Sequence, residues 1–242
     1  MACGEYGEGK MAEPEKILSF IKKYFDNLQN NKKFKALVTA GPTQEKIDSV
    51  RYISNLSSGL QGYEIAKSLS ENGFDTTLVS GPTNLKDLPF VKTYKIKSAD
   101  EMFDLTTSLL PVDVAIFSAA VSDFKLKKIE DKKIKKTSKI NLELELNKDL
   151  LEYVSKHNSL RPKLVIGFAA ETDNLEKNAK EKLIQKNCDW IIANDVSRKD
   201  IGFNSDMNEV SIYTSDKIEK IHKNKKSIIA EKVVKKLINQ LN

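Results

Sequence analysis

The stretch Lys35–Gly62 reads KALVTAGPTQEKIDSVRYISNLSSGLQG and decides the fold class. It opens with the apolar run Ala36-Leu37-Val38, typical of a buried strand, and breaks at Gly41-Pro42-Thr43. It ends in Ser57-Ser58-Gly59, directly before the amphipathic segment Tyr63–Leu69. A strand that leads through small residues into a helix is typical of phosphate binding, because the first helical turn offers unpaired N–H groups and a partial positive charge. A plain strand–turn–helix connection without a ligand fits these residues equally well.

The same alternation of strand and helix continues along the chain. Further apolar strands are predicted over residues 75–80, 93–96, 112–118, 164–168 and 190–193, with helices between most of them. This order predicts an α/β fold with a mostly parallel sheet that is covered by helices on both faces. In such folds ligands bind beyond the carboxyl ends of the strands. Ile140–Leu146 alternates strictly between apolar and polar residues, which predicts a half-buried strand.

The amino-acid composition limits the kinds of partner and location that we expect for this protein. The chain has 242 residues, with 40% hydrophobic and 31% charged residues, as in soluble globular proteins. No apolar run reaches the ~20 residues that span a bilayer, so we expect no membrane partner. The N-terminus lacks an apolar signal segment and there are two cysteines, which favours a cytoplasmic, reducing location. The net charge is +6, but most lysines alternate with acidic residues, so we expect no nucleic-acid partner.

One basic segment differs from this mixed background. Residues 125–139, KLKKIEDKKIKKTSK, hold eight lysines against Glu130 and Asp131. The segment fits either a solvated loop or a flap that closes over a polyanion.

Common catalytic motifs are missing. The chain has no G-x-G-x-x-G, no P-loop, no H-E-x-x-H and no G-x-S-x-G, and its two histidines, His157 and His222, lie in polar contexts. Lysines, carboxylates, amides and backbone N–H groups remain, and these suit phosphoryl or nucleotidyl transfer, where positioning and charge neutralisation dominate. A non-catalytic nucleotide-binding or NAD(P)-binding module stays open as the alternative.

Four further groups of residues carry a specific resemblance. TAGPTQEKIDSVRYISNLSSG, AAVSDF followed by KIKK, GFAAET, and ANDV followed by GFNSDMN occur in this order. Over about residues 34–240 the chain resembles phosphopantothenoylcysteine synthetase of the bacterial type. The resemblance implies a Rossmann-like sheet with a β-strand dimerisation arm. It also implies a ligase that joins 4'-phosphopantothenate and L-cysteine in coenzyme A biosynthesis. CTP would activate the acid as an acyl-cytidylate, with Mg²⁺ and loss of pyrophosphate.

The N-terminus carries a second resemblance. ACGEYGEGKM is similar to the tail of phosphopantothenoylcysteine decarboxylase, a flavin enzyme often fused ahead of the synthetase. This implies that residues 1–33 are the tail of a preceding decarboxylase domain and a linker helix, and that residues 34–242 are the synthetase domain. FMN is not expected in this chain, and Cys3 is expected to be inert.

The synthetase resemblance also implies the site. Asn55 and Lys133 are expected to be catalytic, the first on the acyl-phosphate oxygens and the second on the phosphates of the nucleotide. The nucleotide is expected to contact Ala119, Ala120, Asp123, Lys133, Asn147, Asp149, Phe168, Lys182 and Lys186. Phosphopantothenate is expected to contact Asn55, Ser57, Ser58 and Gly59. No metal ligands are assigned. The lysine segment and Ile140–Leu146 fall where this family builds its dimer arm, which implies a homodimer.

Overall fold

The structure is a computed structural model that describes residues 11–29, 34–136, 139–198, 200–202 and 205–241. An eight-stranded sheet forms its centre. Six of the strands are parallel: β1 (Lys35–Ala40), β4 (Asp75–Ser80), β5 (Lys92–Lys95), β6 (Val114–Phe117), β9 (Leu164–Glu171) and β10 (Trp190–Asp195). The antiparallel pair β11 (Met207–Tyr213) and β12 (Ile218–Lys225) extends one edge.

The strand order places a crevice in the middle of the sheet. The order is β12-β11-β10-β9-β6-β1-β4-β5, so the chain leaves β1 in one direction and returns to its other side at β6. Val38 lies beside Leu78 of β4 on one side and Ile116 of β6 on the other. This is the order of doubly wound nucleotide-binding folds, whose ligands lie where the order reverses. The predicted α/β, Rossmann-like fold class is confirmed.

Six helices are described: α1 (Pro14–Gln29), α2 (Leu60–Glu71), α3 (Ala99–Ser108), α4 (Leu150–Ser155), α5 (Leu175–Lys186) and α6 (Lys226–Leu241). Two apolar cores lie on opposite faces of the sheet. The first contains Ile65 of α2 and Val233 of α6, and the second contains Met102 of α3 and Val154 of α4. The helices therefore cover both faces, as the alternating pattern predicts.

Gly62 allows the first turn of α2 to lie directly on the crevice. A methyl group there would lie 2.6 Å from Ala40 Cβ, at the end of β1, and closer still to Ser118 Oγ beyond β6. Gly59 precedes the helix with a φ of 76°, a conformation that residues with a Cβ rarely adopt. These two glycines fix the start of α2 over the switch point between β1 and β6.

Two small hairpins were not predicted. The strands β2 (Gln44–Lys46) and β3 (Tyr52–Ser54) pair inside the opening stretch, and β7 (Phe124–Leu126) pairs with β8 (Leu144–Leu146). Three-residue strands carry too little periodicity to be recognised from sequence.

The half-buried strand over Ile140–Leu146 is wrong in two respects. Only its last three residues form a strand. Its apolar residues are exposed in the single chain, with relative accessibilities from 38% at Leu142 to 72% at Leu146. The strand pairs with the short β7, and no layer formed by the described residues covers its apolar side.

The N-terminal predictions are tested only in part. The helix predicted to begin at Pro14 is present as α1. Residues 1–10 and 30–33, which include Cys3, lie outside the described residues.

Candidate active site at the carboxyl ends of the parallel strands

Backbone contacts join the loops after β1 and β6 into one crevice floor. Pro42 and Ala120 form an isolated parallel bridge, in which Ala120 N donates to Gly41 O at 2.9 Å. Ser122 N donates to Thr43 Oγ1 at 3.0 Å. Ala119 N also has an acceptor, Thr39 Oγ1 at 3.4 Å. Both amides therefore have acceptors within the protein, and the small side chains of Ala119 and Ala120 allow a ligand to approach closely.

Asn55 belongs to the same floor. Its Nδ2 donates to Val121 O at 2.9 Å and lies 3.5 Å from Ala120 O. This contact fixes the end of the β2–β3 hairpin against the β6 loop. The amide oxygen of this exposed side chain has no donor among the described residues. The NH₂ group of Asn55 is therefore largely occupied by the protein.

The start of α2 offers backbone donors at the same edge. The hydroxyl oxygens of Ser57 and Ser58 accept from Gly59 N at 3.2 Å and Leu60 N at 3.4 Å. Gln61 N and Gly62 N have no acceptor in the part of the chain that the structure describes, as is usual in a first helical turn. The predicted phosphopantothenate residues therefore form one small-residue loop that leads into two unpaired amides.

Asn147 ties the loop before α4 to the loop after β6. Its backbone N donates to Asp123 O at 2.8 Å, and its Nδ2 donates to Ser122 O at 2.8 Å. Its Oδ1 is buried without a donor among the described residues. A buried acceptor without a partner destabilises the fold by about 1–3 kcal/mol. Such an atom at a crevice favours a ligand that brings an N–H or O–H donor.

Asp149 and Lys186 form an ion-pair cluster beside it. Asp149 caps α4 by accepting from Glu152 N at 2.8 Å, and it pairs with Lys186 Nζ at 2.9 Å. Glu152 pairs with Lys186 at 2.8 Å and with Lys156 at 2.7 Å. Hydrogen bonds from Lys156 and Lys186 lower the pKa of Glu152 to about 2. Burial tends to lower the pKa of Lys186, but its bonds to Glu152 and Asp149 outweigh this and raise it.

Phe168 and Lys182 meet in the carboxyl half of β9. Lys182 Nζ donates to Phe168 O at 3.0 Å, so the lysine is held over the strand. The Phe168 ring is half-buried and packs against the first core. The predicted nucleotide residues after β6, before α4, on α5 and on β9 are thus linked by hydrogen bonds and ion pairs.

The lysine segment contributes a basic cavity of about 650 Å³. Its lining contains five cationic side chains and no carboxylate: Arg51, Lys133, Lys135, Lys136 and Lys139, with Ile134 and Ile140. Lys133 is exposed in this lining. A cavity whose lining carries several positive charges and no acid attracts polyanions.

Asp48 anchors this segment, and the sequence analysis missed it. Its buried carboxylate accepts from the backbone N of Ile134, at 3.0 Å, and of Val50 and Arg51, and it pairs with the Arg51 guanidinium at 2.6 Å. Arg51 also donates to Ile134 O at 2.7 Å. Burial raises the pKa of Asp48, but the hydrogen bonds from Ile134, Val50 and Arg51 outweigh it and hold the pKa well below its usual range. The only sequence signal was an Asp and an Arg three residues apart.

A second polar cluster surrounds the buried Tyr63 hydroxyl. Lys95 Nζ donates to it at 2.7 Å, Thr83 Oγ1 at 3.3 Å, and Ser80 Oγ lies 3.0 Å away. Burial raises the pKa of Tyr63, but the hydrogen bonds with Lys95, Ser80 and Thr83 and the charge of Lys95 together outweigh burial and lower the pKa. Every group in this cluster has partners, so it fastens α2 to the ends of β4 and β5.

Two other features bear on the location and contents of the site. A larger cavity of about 1090 Å³ lies at the amino end of β10, and its lining includes Trp190 and Lys236 but none of the predicted site residues. No group of three His, Cys, Asp or Glu side chains that could hold a metal ion occurs among the described residues. No helix in the described ranges combines the length and apolar character needed to cross a membrane.

The fold and the crevice define a doubly wound α/β domain with an anion-attracting site at its switch point. Residues 31–241 match the family described as DNA/pantothenate metabolism flavoprotein C-terminal domain, and the chain belongs to this family. It is 37% identical over 241 residues to the coenzyme A biosynthesis bifunctional protein CoaBC of Haemophilus influenzae. It is 36% identical over 244 residues to the CoaBC protein of Escherichia coli strain K12. Each match covers 99% of this chain and 60% of the relative, so the chain spans about three-fifths of those proteins.

Solved structures agree with this assignment. The C-terminal domain of a CoaBC protein superimposes with a TM-score of 0.73 at 35% identity, over 86% of this chain and 95% of that one. A Cab2 mutant in complex with phosphopantothenate-cysteine superimposes with a TM-score of 0.70 over 96% of this chain and 94% of that one. Its identity is 17%, so it supports the fold alone. The resemblance drawn from the motifs is confirmed at the level of the family.

Proposed function

We propose that this chain is a ligase that joins 4'-phosphopantothenate and L-cysteine to give 4'-phosphopantothenoylcysteine in coenzyme A biosynthesis. The pantothenate carboxylate attacks the α-phosphorus of CTP, forming an acyl-cytidylate and releasing pyrophosphate. The amine of cysteine then attacks the acyl carbon, the new C–N bond forms with loss of a proton, and CMP leaves. The relatives named as coenzyme A biosynthesis proteins support this assignment.

The basic cavity is the observation that carries the proposal. A triphosphate needs several cations, and the leaving pyrophosphate gains charge in the transition state. Lys133 lies in a lining with four other cations and no acid. Asp48 neutralises part of the charge of Arg51 but contacts none of the lining lysines among the described residues. The charge of Lys133, Lys135 and Lys136 therefore remains for the nucleotide.

The two substrates would lie on opposite sides of the crevice floor. The acid and its phosphate face Asn55, Ser57, Ser58 and Gly59, where the amides of Gln61 and Gly62 are unpaired and the dipole of α2 favours an anion. The nucleotide faces Ala119, Ala120, Asp123, Asn147, Asp149, Phe168, Lys182 and Lys186. The unpaired Asn147 Oδ1 would accept from a hydroxyl or amino group of the nucleotide. Lys186 already has two carboxylate partners, so it would act chiefly by holding Asp149.

Mg²⁺ enters this proposal as part of the nucleotide substrate. The described residues contain no cluster of three metal-binding side chains, so they do not fit a metal site formed by the protein alone. Mg²⁺ commonly binds nucleotide phosphates and keeps several waters. No step above depends on a protein ligand to the metal.

The exposed apolar arm supports a homodimer. Ile140, Leu142, Leu144 and Leu146 are all at least 38% exposed beside the short hairpin of β7 and β8. A second copy packing on this arm would bury the apolar side that the alternating pattern predicts.

We also propose that the full-length protein carries a decarboxylase domain ahead of residue 34, since the relatives are named bifunctional and are longer. The cytoplasm fits the charge-rich, cysteine-poor composition.

The test is pyrophosphate release by the purified protein with 4'-phosphopantothenate, L-cysteine and CTP. Release should require the acid and CTP, and mass spectrometry should detect 4'-phosphopantothenoylcysteine. Lys133→Ala should lower turnover while leaving the melting temperature unchanged, because its side chain is exposed. Absence of turnover with every nucleoside triphosphate would reject the proposal. Binding of NAD(H) without CTP binding would favour the alternative of a non-catalytic nucleotide- or NAD(P)-binding module.

A further inference from the structure

Three consecutive residues before α4 tie one loop to three different neighbours. Asn147 bonds the loop after β6 through Ser122 O and Asp123 O. Asp149 pairs with Lys186 of α5 at 2.9 Å. Between them, Lys148 extends to α3, where its Nζ lies 4.7 Å from the centroid of the Phe103 ring. The loop is therefore held from three directions.

The ring under Lys148 is itself fixed. Phe103 packs against the second core, and its centroid lies 4.9 Å from that of Tyr153 on α4. Tyr153 in turn packs edge-on against His157 at 5.6 Å. Lys148 has no ion pair with a carboxylate among the described residues, so the ring face is its described partner. A cation over an aromatic face is attracted by the negative charge of that face.

We infer that Lys148 is a positioning residue, which holds Asn147 and Asp149 in place through its contact with Phe103. Lys148 sits between the two residues, so release of its side chain frees the backbone that joins them. The inference rests on the proposed function in assigning a nucleotide to this loop. Asn147 carries the unpaired acceptor that would meet that nucleotide, so its position sets nucleotide affinity and leaves the chemical step unchanged.

The experiment compares Lys148→Gln, Lys148→Arg and Phe103→Leu with the wild type in steady-state assays. Lys148→Gln and Phe103→Leu should each raise KM for CTP about two- to fivefold, the range of an exposed cation–π contact, with kcat unchanged. Lys148→Arg keeps the cation and should restore the wild-type KM. The double variant Lys148→Gln with Phe103→Leu should be no worse than either single variant.

The matched control is Lys92→Gln. Lys92 Nζ also lies over an aromatic ring, 5.2 Å from the centroid of Tyr94, but on the edge strand β5, outside the loop that holds Asn147 and Asp149. It should leave KM for CTP unchanged. Equal KM values for Lys148→Gln and Lys148→Arg, or additive effects in the double variant, would overturn the inference.

A second readout needs no turnover. The Asn147 amide is hydrogen-bonded to Asp123 O, so its hydrogen exchange reports how firmly the loop is held. Exchange at residues 147–149 should be faster in Lys148→Gln than in Lys148→Arg. If the wild type released no pyrophosphate, but hydrogen exchange at residues 147–149 were still faster in Lys148→Gln than in Lys148→Arg, the proposed function would fail and the positioning role would stand. If pyrophosphate were released but KM and exchange did not change in Lys148→Gln, the positioning role would fail alone.

Discussion

Gly62→Ala tests whether α2 must lie directly on the crevice. The added methyl would be 2.6 Å from Ala40 Cβ and 3.2 Å from Ala40 Cα, and Ser118 Oγ would be closer still. Carbon atoms in contact are separated by about 3.5–4.0 Å, so the first turn of α2 must move outward by roughly 1 Å. The end of β1 cannot yield easily, because Ala40 and its neighbours are buried.

The expected net effect combines two opposing contributions. Overpacking at a buried position costs about 1–3 kcal/mol of unfolding free energy. Alanine stabilises a helix interior by up to about 1 kcal/mol relative to glycine, and less near its end. We therefore expect Gly62→Ala to lower the free energy of unfolding by about 1–2 kcal/mol. Because the proposed phosphate site is the same helical turn, KM for 4'-phosphopantothenate should rise by more than KM for CTP.

Urea denaturation and steady-state kinetics measure the two effects. Lys67→Ala, at an exposed position of the same helix, is the control that changes helix propensity without overpacking. If Gly62→Ala were as stable as the wild type or more stable, helix propensity alone would govern this position. The inference that α2 contacts both strand ends would then be refuted.

Three further predictions follow from single groups. Asp48→Asn should weaken the anchor at Ile134 and speed tryptic cleavage in residues 125–139, and an unchanged cleavage rate would contradict it. Lys156 and Lys186 lower the pKa of Glu152 from 4.5 to about 2. The ionised Glu152 side chain therefore stabilises the folded protein fully above pH 4.5, and this stabilisation is lost as the pH falls through 2. The stability gap between wild type and Glu152→Gln should therefore shrink between pH 5 and pH 2, and a constant gap would contradict this. Burial raises the pKa of the Cys188 thiol to about 12, so thiol reagents at pH 8 should label Cys188 only after unfolding; rapid native labelling at that residue, checked by peptide mapping, would contradict it.

The amino-acid sequence alone determined the alternation of elements and the class of fold. The apolar strands at residues 36–38, 164–168 and 190–193 are short, continuous and flanked by small residues, and each was found close to its predicted bounds. Ser98 also caps α3 through a residue only three positions away, accepting from Glu101 N at 3.2 Å. These features depend on residues close together in the chain, so local pattern was enough to recognise them. The motifs that identified the family are likewise short stretches of consecutive residues, and they can be recognised without knowing the fold.

The contacts between distant helices, strands and loops, which form the site, were seen only in the tertiary structure. The strand order could not be predicted from the sequence. The contact between the loops after β1 and β6, at Pro42 and Ala120, was therefore not predicted either, since these residues are 78 positions apart. Asp48 and Ile134 likewise meet across 86 residues, which periodicity cannot detect. The Asn55 amide, expected to face the intermediate, is bound to carbonyls of the β6 loop because folding brings them within 2.9 Å. Local pattern selects elements through short-range propensity, whereas partner choice depends on packing between distant segments, and that packing fixed the geometry of the site.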